Sequence, residues 1–466
     1  MQFRFLIDGA LVEGPGTFEV INPASGLPFC EAPCAGVAEA ELAIAAARRA
    51  FPAWRRLGFA KRGDMLARLA DALEARREEF ARLLTQEQGK PLRDASGELG
   101  AAVAALRYYA GLELKPEILR NEDGTRIIEQ RDPLGVVAAI TPWNYPVLIL
   151  TQKIGPALIT GNCVIAKPAP TTPLTTLLLG ELASSILPAG VLQTLCGQNE
   201  LGALLTCHEG VDFVSFTGST ETGKKVLTSA AGTLKRFSLE LGGNDAALVL
   251  DDADIEAVAP RIFHGAMKNV GQICLAIKRV YAPRHMMDPL CEVLARLAGE
   301  AVLGDGLHQD TTHGPVNNQA QFDKLVDLLA QSRAQGRVVA GGGVPDGDGY
   351  FIQPTILRDL PEDSRLVSEE QFGPLLPVQS YDTLDDAIAR INASKYGLTA
   401  TVWTGDPERG IDVASRIESG TVWVNKHLDL PFDIPFGGAK SSGIGRQQGI
   451  EGLKEFTQPR IINAAI

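Results

Sequence analysis

The sequence predicts an α/β fold in which two lobes each contain a mostly parallel sheet covered by helices. The first indication is length, because 466 residues exceed the size at which a single hydrophobic core stops growing. The second is a series of short, nearly all-apolar segments separated by helical or turn-rich text, as strands buried on both faces require. The third is composition: 45% hydrophobic and 21% charged residues are ordinary for a globular chain with a large core.

The first half of the chain predicts a short strand followed by long helices and then a polar strand. Residues 1–9 read as the strand. From Val37 to about Tyr109, apolar residues recur every three or four positions, which predicts amphipathic helices. Residues 125–131 alternate in polarity, which predicts a partly exposed strand.

The apolar segments predict where the strands of the two sheets lie. They occupy residues 136–140, 164–166, 213–216 and 247–250, and then 279–281, 338–340 and 421–424. The tail from Phe456 to Ile466 is strand-like with no helix after it, so we expect it to join a sheet, either in its own chain or in a neighbouring subunit. The predicted boundaries are 1–114 with 133–242 for the first lobe, 243–445 for the second lobe, and 115–132 with 446–466 for a small β extension.

Charge and cysteine usage exclude several classes of protein. With 44 basic and 56 acidic residues the net charge is -12, which disfavours binding to nucleic acid or anionic membranes. The N-terminus lacks the features of a secretory signal, and no apolar run reaches the ~18 residues of a membrane span. The seven cysteines are scattered without a Cys-x-x-Cys pair, which indicates a reducing compartment, the cytoplasm.

A glycine turn follows the strand at 213–216 and opens a predicted helix. Gly218 and Gly223 would let a phosphate approach the backbone, beside the free N–H groups of a helix start. Three interpretations stay open: a simple turn with an N-cap, a nucleotide phosphate loop, or a dinucleotide site of variant spacing. The phosphate loop is disfavoured because Lys225 stands where a magnesium-binding hydroxyl is needed.

Three further residues carry the chemistry of a covalent enzyme. A thiol at Cys274 would serve as a nucleophile, and a carboxylate at Glu240 would activate water. Asn144 follows the strand at 136–140, at the carboxyl end where open sheets bind ligands, and its amide would donate to a developing oxyanion. This combination favours the dinucleotide interpretation of the glycine turn.

Seven ordered motifs, together with the 34-residue separation of Glu240 and Cys274, resemble the aldehyde dehydrogenase superfamily over nearly the whole length. They are residues 141–144, 161–168, 216–220, 240–243, 271–274, 369–374, and 435–438 with Lys440 and 442–443. The resemblance implies a non-acylating, NAD(P)-dependent enzyme. Its first lobe (1–114 and 133–242) would be a Rossmann-like cofactor-binding domain, its second lobe (243–445) the catalytic domain, and its small β extension (115–132 and 446–466) an oligomerisation extension. It would oxidise an aldehyde to a carboxylic acid through a thiohemiacetal and a thioester on Cys274.

The resemblance also implies roles for individual residues. Asn144 with the backbone N–H of Cys274 would form the oxyanion hole, Glu240 would be the general base, and Lys153 would lie in the proton-relay region. Lys167 would hold the adenosine ribose, Glu370 would hold the nicotinamide ribose, and Phe372 would pack near the nicotinamide ring. The remaining residues expected in the cofactor cleft are Thr141, Pro142, Trp143, Gly218, Ser219, Gly223, Leu241 and Gly242.

The substrate is expected to be a polar aldehyde or a semialdehyde. Lys268 resembles a cation that family members acting on succinate semialdehyde carry, whereas Gln152 stands where they have a second cation. Lys268 would either meet an anionic group of the substrate or extend to solvent at the mouth of the pocket. The residues expected to line this pocket are Tyr145, Ile149, Gln152, Lys268, Ile273, Leu275, His427 and Phe432.

Two positions depart from the family pattern. Pro170 replaces an acid that would repel the 2′-phosphate of NADP, so a barrier to NADP is removed but no residue that binds the phosphate is supplied. NAD is favoured, and NADP stays open. Gln458 replaces an acid near the subunit contact, so a homodimer and a homotetramer both remain possible.

Four alternatives compete with this hypothesis. A coenzyme-A-acylating dehydrogenase would not need the carboxylate of Glu240, and a nucleoside triphosphatase would need a magnesium site. A non-enzymatic relative would be expected to lose Cys274, Glu240 or Asn144. A metal enzyme is disfavoured because the six histidines show no paired spacing, so no metal is expected.

Overall fold

Two large β-sheets organise the chain in the computed structural model, which describes residues 2–466. The strands are β1 (Phe5–Ile7), β2 (Ala10–Val12), β3 (Thr17–Asn22), β4 (Leu27–Pro33), β5 (Glu117–Glu122), β6 (Thr125–Pro133), β7 (Val136–Ile140), β8 (Cys163–Lys167), β9 (Leu192–Thr194), β10 (Phe213–Thr217), β11 (Arg236–Glu240), β12 (Asp245–Val249), β13 (Ile277–Pro283), β14 (Arg337–Ala340), β15 (Thr355–Arg358), β16 (Leu375–Tyr381), β17 (Tyr396–Gly397), β18 (Thr399–Trp403), β19 (Thr421–Val424), β20 (Ala439–Lys440), β21 (Gly443–Ile444) and β22 (Thr457–Ala465).

Helices connect and cover these strands. They are α1 (Val37–Trp54), α2 (Phe59–Ala75), α3 (Arg77–Gln88), α4 (Leu92–Ala110), α5 (Pro146–Ile159), α6 (Leu174–Ser184), α7 (Asn199–Cys207), α8 (Thr220–Ala231), α9 (Ile255–Met267), α10 (Met287–Gly299), α11 (Gln319–Gln335), α12 (Arg365–Ser368), α13 (Leu384–Asn392), α14 (Pro407–Ser415) and α15 (Gly449–Glu455). The α/β class predicted from the apolar segments is confirmed.

The first sheet has the order β2-β1-β9-β8-β7-β10-β11-β21, and its central strands β9, β8, β7, β10 and β11 are parallel. All five residues of β7, β8 and β10 are buried, because helices cover both faces of these strands. In the register, Ile140 pairs with Lys167 and Thr217 pairs with Glu240. The carboxyl ends of four strands therefore lie at one edge of this sheet.

The second sheet has the order β14-β15-β16-β13-β12-β18-β19 and is parallel except for the β14–β15 pair. Side chains along β12 alternate between its two faces, as the two-residue period of a strand requires. Ala247 and Val249 belong to one hydrophobic cluster, whereas Ala246 and Leu248 belong to another. Both faces of this sheet are thus buried against helices.

The two sheets meet where the chain passes directly from β11 to β12. Glu240 is the last residue of β11 and Asp245 is the first residue of β12. The carboxyl edge of the first sheet therefore faces the amino edge of the second sheet. No helix within residues 2–466 is both long enough and apolar enough to cross a lipid bilayer.

A smaller antiparallel sheet, β22-β6-β5, lies apart from the two large ones. The register between β22 and β6 runs without interruption from Thr457 opposite Pro133 to Ala465 opposite Thr125. The C-terminal tail thus adds a strand within its own chain, as one of the two predicted arrangements required. Ile461 and Ile462 on β22 are exposed.

The segment between β21 and β22 returns to the first lobe. β21 pairs with β11, and Leu453 and Phe456 pack in the hydrophobic core of the first lobe. The predicted boundary at residues 445–446 falls inside this segment. The division into three domains stays a prediction.

Candidate active site

A cavity of about 380 Å³ opens between the two lobes, and the three residues predicted to carry the chemistry all line it. Asn144 follows β7, Glu240 ends β11, and Cys274 precedes β13. The first two come from the carboxyl edge of the first sheet, and the third comes from the second lobe. Residues far apart in the sequence are therefore brought to one cavity.

Cys274 follows a short 3-10 turn, Lys268–Gly271, that ends α9 sharply. Asn269, Val270 and Gly271 have φ values of 50°, 47° and 74°, a left-handed backbone that bulky residues rarely adopt. The thiol is half-buried, and burial raises its pKa to about 12, while Lys278 opposes this increase. Within residues 2–466 the backbone N–H of Cys274 donates to no protein acceptor.

The side chain of Asn144 is buried and its orientation is fixed. Its Nδ2 donates to the backbone carbonyl of Gln272 at 2.9 Å, and its own backbone carbonyl accepts from Nζ of Lys90 at 2.8 Å. Because a primary amide carries two donor hydrogens, one hydrogen of Nδ2 remains for a ligand. Asn144 and the N–H of Cys274 thus provide two donors for an oxygen in the cavity.

The carboxylate of Glu240 is buried and has no hydrogen-bond partner on either oxygen. Burial raises its pKa from 4.5 to about 8, while Lys153 opposes the increase. An unpartnered carboxyl group is costly inside a protein, so this group is suited to a water molecule or a substrate. A general base is effective when its pKa lies near neutrality, as this one does.

Lys153 lies on α5 and is fully buried behind Glu240. Its Nζ donates to Oγ of Ser215 at 3.0 Å, and burial lowers its pKa to about 7. The two groups influence each other electrostatically, since Glu240 raises the pKa of Lys153. Lys153 does not line the cavity itself, so it acts on the cavity through its neighbours.

Seven of the eight residues predicted for the substrate pocket line the cavity; they are Tyr145, Ile149, Gln152, Lys268, Ile273, Leu275 and Phe432. His427 is the one member of the predicted set that does not line this cavity. Its ring packs edge-on against the ring of Trp423 with the centroids 4.8 Å apart. Gly265 leaves room for this, because a Cβ there would lie 2.6 Å from the His427 ring.

The residues predicted to hold the adenosine side of a dinucleotide lie at the carboxyl edge of the first sheet. Lys167 ends β8 and is buried, and burial lowers its pKa to about 8. The backbone N–H of Thr141 donates to the carbonyl of Lys167 at 3.1 Å, whereas Oγ1 of Thr141 is buried without a partner. Pro142 and Trp143 follow in the same loop.

The glycine turn after β10 is both a capped helix start and a tight packing point. Oγ of Ser219 accepts from the N–H of Thr222, so Ser219 caps α8. Gly218 and Gly223 permit close packing: a Cβ at Gly218 would lie 2.6 Å from the Phe216 ring, and one at Gly223 would lie 2.5 Å from Leu241. The residues that form this N-capped turn are the same residues that the sequence analysis predicted to bind a dinucleotide.

Glu370 and Phe372 approach this edge from the second lobe. Oε1 of Glu370 accepts from the N–H of Gly243 at 2.9 Å, and a Cβ on Gly242 would lie 2.2 Å from Oε2. The ring of Phe372 meets that of Trp143 edge-on, with the centroids 5.3 Å apart.

A dinucleotide fits the hydrogen-bonding groups at this edge. They are the hydroxyl of Thr141, which has no partner, the buried ammonium of Lys167 and the carboxylate of Glu370. Phosphate groups would bind at the start of α8, because the positive end of the helix dipole favours negative charge there.

The sequence analysis missed a buried ion pair beneath the cavity. Nζ of Lys90 lies 2.5 Å from Oε2 of Glu98, both side chains are completely buried, and the ammonium also lies 3.7 Å from the Tyr145 ring centroid. Oε1 of Glu98 accepts from the N–H groups of Val147 and Leu148 at the start of α5. The sequence feature that indicated this pair was Glu98, an acid on the apolar face of α4.

Gln447 and Gln448 were also missed, although both line the cavity. Each is more than nine-tenths buried and has one unpartnered polar atom, Nε2 of Gln447 and Oε1 of Gln448. Gln448 has a φ of 61°, which no feature of the sequence predicted. Within residues 2–466 no group of three or more His, Cys, Asp or Glu residues is arranged to hold a metal ion.

Comparison with known proteins decides the family. A model of the aldehyde dehydrogenase family matches residues 11–462. The chain belongs to the aldehyde dehydrogenase family. The resemblance drawn from the seven motifs is confirmed, and the chain is an NAD(P)-dependent aldehyde dehydrogenase.

Relatives of this aldehyde dehydrogenase match it from end to end. An aldehyde dehydrogenase of Aspergillus niger is 37% identical over 466 residues, covering 98% of this chain and 94% of its own. A variant of the aldehyde dehydrogenase of Bacillus cereus superposes with a TM-score of 0.98 at 34% identity, covering 100% and 97%. The betaine aldehyde dehydrogenase of Staphylococcus aureus, solved with NAD+, superposes with a TM-score of 0.97 at 34% identity, covering 100% and 95%.

Proposed function

We propose that this enzyme oxidises an aldehyde to a carboxylic acid through covalent intermediates on Cys274, with NAD as its cofactor. The observation that carries the proposal is that Cys274, Asn144 and Glu240 line one cavity between the lobes. A thiol, a hydrogen-bond donor and a buried carboxylate are the three groups that such a reaction needs.

The first step is attack by sulfur. The thiol of Cys274 first loses its proton to water. Sγ then forms a bond to the carbonyl carbon as the thiolate, and the π electrons of the carbonyl move to its oxygen. Nδ2 of Asn144 and the N–H of Cys274 stabilise this oxyanion, because they are placed before the charge develops. The product is a thiohemiacetal. When its carbon loses a hydride, the C=O bond re-forms and a thioester results.

NAD, when bound, accepts that hydride. The residues proposed to hold it are Thr141, Pro142, Trp143, Lys167, Gly218, Ser219, Gly223, Leu241, Gly242, Glu370 and Phe372. NAD is favoured over NADP because the Staphylococcus aureus relative was solved with NAD+ and because no cation beyond Lys167 was identified for a 2′-phosphate.

Hydrolysis of the thioester is assigned to Glu240. Its free carboxylate takes a proton from water, the resulting hydroxide adds to the thioester carbon, and the C–S bond breaks to release the acid and the thiolate. Lys153 is assigned to the relay that removes this proton, because it and Glu240 influence each other electrostatically and its Nζ donates to Oγ of Ser215. The carboxylate favours hydrolysis over transfer to coenzyme A, since that transfer needs no activated water.

The charges on the cavity wall favour a substrate with a polar or acidic far end. Glu98 is neutralised by Lys90, and Asp94 lies 3.4 Å from Arg93. Lys268 has no ion-pair partner within residues 2–466, so one unpaired cation faces the cavity. Glu240 is the unpaired carboxyl group of the wall, and burial favours its neutral form by raising its pKa to about 8. A positively charged aldehyde, which the name of the Staphylococcus aureus relative indicates for that protein, would meet repulsion here.

The three-stranded sheet is proposed to build a homodimer or homotetramer. Its strands expose Ile118, Leu119, Ile461 and Ile462, which a soluble monomer would leave in water. The proposed oligomerisation extension therefore has a surface that a second subunit would cover.

The test is a panel of aldehydes measured with NAD and NADP, each with and without coenzyme A. The panel pairs each unbranched alkanal with the ω-carboxylate aldehyde of equal length, and mass spectrometry identifies the product. We expect carboxylic acid as the product, NAD preferred, and a higher kcat/KM for the acid-bearing aldehydes. Acyl-coenzyme A as the main product would overturn the hydrolytic mechanism, and equal rates within each pair would overturn the substrate class.

A further inference from the structure

Lys278, at the second position of β13, holds the loop that carries Cys274. Its Nζ donates to three backbone carbonyls, those of Ile273 at 2.8 Å, Cys274 at 3.0 Å and Ala276 at 3.2 Å. The side chain is 1% exposed. A single buried ammonium thus uses its three donors on one four-residue loop.

These hydrogen bonds, together with one that the N–H of Ala276 donates to the carbonyl of Ile273 at 3.1 Å, determine where the N–H of Cys274 points. The peptide bond between Ile273 and Cys274 is trans, because residues 2–466 contain no cis peptide bond. In a planar trans peptide the C=O and the N–H point in opposite directions. Since the carbonyl of Ile273 is directed at Nζ of Lys278, the N–H of Cys274 is directed away from it, where it has no protein acceptor.

We propose that Lys278 is the positioning residue of this active site, orienting the oxyanion-binding N–H of Cys274 and placing a positive charge beneath the nucleophilic sulfur. The proposal rests on the assignment of Cys274 as the nucleophile. Lys278 does not line the cavity, so it touches neither the substrate nor the reacting atoms.

The electrostatic surroundings support this role. Lys278 lowers the pKa of Cys274, whereas Asp245, Glu240 and Glu370 raise it. The other groups that face Lys278 are Asp245 and Glu370, whose pKa values it lowers, and Lys324 and His427. Lys278 is the one cation among the charged groups that shift the pKa of Cys274, so its removal would leave only three carboxyl groups, which raise that pKa.

A link to the cofactor side passes through the same residue. The backbone carbonyl of Lys278 accepts from Nε2 of Gln371 at 2.8 Å, and its Nζ lies 5.8 Å from the ring centroid of Phe372. The residues on either side of Gln371 are the two predicted to meet the nicotinamide half of the cofactor. Lys278 thus joins the nucleophile loop and the Glu370–Phe372 segment into one unit.

Neighbouring Arg279 provides a matched control. It is also buried on β13, and it also donates to backbone carbonyls, those of Asn244 and Ile391. None of these belongs to the loop of Cys274. An Arg279→Lys variant therefore perturbs a buried cation of the same strand without touching the proposed function of Lys278.

The test measures alkylation of Cys274 by iodoacetamide in the absence of cofactor and aldehyde. The rate is followed by peptide mass spectrometry for the parent, Lys278→Met, Lys278→Gln, Lys278→Arg and Arg279→Lys, with thermal unfolding as a check of the fold. A rise of one pH unit in the pKa of a thiol lowers its thiolate fraction, and hence its alkylation rate at fixed pH, about tenfold.

We expect alkylation at fixed pH to slow about tenfold in Lys278→Met, while Lys278→Arg and Arg279→Lys stay within about twofold of the parent. In Lys278→Arg we expect kcat to fall with KM nearly unchanged, since the N–H is misplaced while the charge is kept. If Lys278→Met does not fold, Lys278→Gln carries the same expectation.

An alkylation rate within about twofold of the parent in a folded Lys278→Met or Lys278→Gln protein would overturn the proposal. An equal slowing in Arg279→Lys would also overturn it, because disturbing another buried side chain of β13 would then have the same effect as removing Lys278. This measurement involves no turnover, so it is independent of the aldehyde panel: failure of the panel removes the reaction, whereas unchanged alkylation removes only the role of Lys278.

Discussion

Nδ2 of Asn144 donates to the backbone carbonyl of Gln272, two residues before Cys274, at 2.9 Å. Gln272 is itself held on both sides, since its Oε1 accepts from the N–H of Asn317 and its Nε2 donates to the carbonyl of Asn269. A contact between the two lobes therefore sets the direction of the Asn144 amide before any substrate arrives. Such preorganisation is what makes a donor effective toward an oxyanion.

Replacing Asn144 by alanine removes this donor. We expect kcat/KM to fall about 100- to 1,000-fold, because one oxyanion donor contributes roughly that factor. The isosteric variant Asn144→Asp fills the same space but presents only acceptors when ionised, so it should be at least as slow. Steady-state kinetics checks both variants, and an Asn144→Asp protein close to the parent in kcat/KM would show that donation is not the function of this side chain.

Replacing Glu240 by glutamine separates the two halves of the reaction. Sulfur attack and cofactor reduction do not need the carboxylate, so we expect one rapid turnover of reduced cofactor per active site. Steady turnover should then fall by at least about 100-fold, since general base catalysis is lost. Rapid-mixing absorbance measures the burst, and intact-mass spectrometry detects the thioester. Undiminished steady turnover would contradict the assignment.

The raised pKa of Glu240 also predicts how stability depends on pH. Burial raises this pKa from 4.5 to about 8, so over that interval the folded state binds the proton more tightly than the unfolded state does. The contribution of Glu240 to the free energy of unfolding therefore falls as the pH rises through this window. Lys153 has the opposite effect. Its pKa is lowered from 10.5 to about 7, so its destabilising effect on the folded state is relieved only as the pH rises above about 7.

The Glu240→Gln variant lacks this titration, so its Tm relative to the parent should rise between about pH 5 and about pH 7. We expect a change of at least about 2 °C over this range, measured by differential scanning calorimetry. A difference in Tm that stays constant across the range would contradict the raised pKa.

Lys268→Met tests the single unpaired cation of the cavity wall. We expect kcat/KM for an acid-bearing aldehyde to fall about three- to tenfold, as loss of a half-buried ion pair would produce. The alkanal of equal length should be unaffected or improve. Lys61→Met, which changes an exposed lysine on α2 away from the cavity, is the control. A uniform loss for both aldehydes would show that Lys268 has a structural role instead.

Pro170 provides a test of cofactor preference. Pro170→Glu places an acid three residues after Lys167, and we expect it to lower kcat/KM for NADP about tenfold while leaving NAD nearly unchanged. Pro170→Gln alters the backbone in the same way without the charge, so it should change both cofactors equally. Equal losses in the two variants would indicate that the proline itself is what matters.

Much of this fold followed from local patterns. The apolar segments at 136–140 and 213–216 became buried strands, because a continuous apolar run fits only a strand covered on both faces. Asn144 was predicted beside a binding site because it follows the apolar segment at 136–140. Glu240 was predicted from its chemistry and its motif, since no strand was predicted at 236–240, where the structure has β11. Cys274 was predicted through the motif around it rather than through its position in a strand.

Other parts depend on contacts between distant residues, which no local pattern contains. Lys90 and Glu98 belong to the same short segment, yet their burial depends on α5, more than forty residues further on. His427 lies in the predicted loop, but its ring packs against Trp423 and lies close to Gly265, where a Cβ would meet it. The positive φ of Gln448 is likewise a property of the assembled structure.

The direct passage from β11 to β12 has a mechanical consequence. Glu240 moves with the first lobe, as does Asn144, whereas Cys274 moves with the second lobe. Any rotation of one lobe against the other would pull the base and the oxyanion donor away from the sulfur together. A hinge motion would thus switch off attack and hydrolysis at once, and a thioester would survive for as long as the lobes stayed apart.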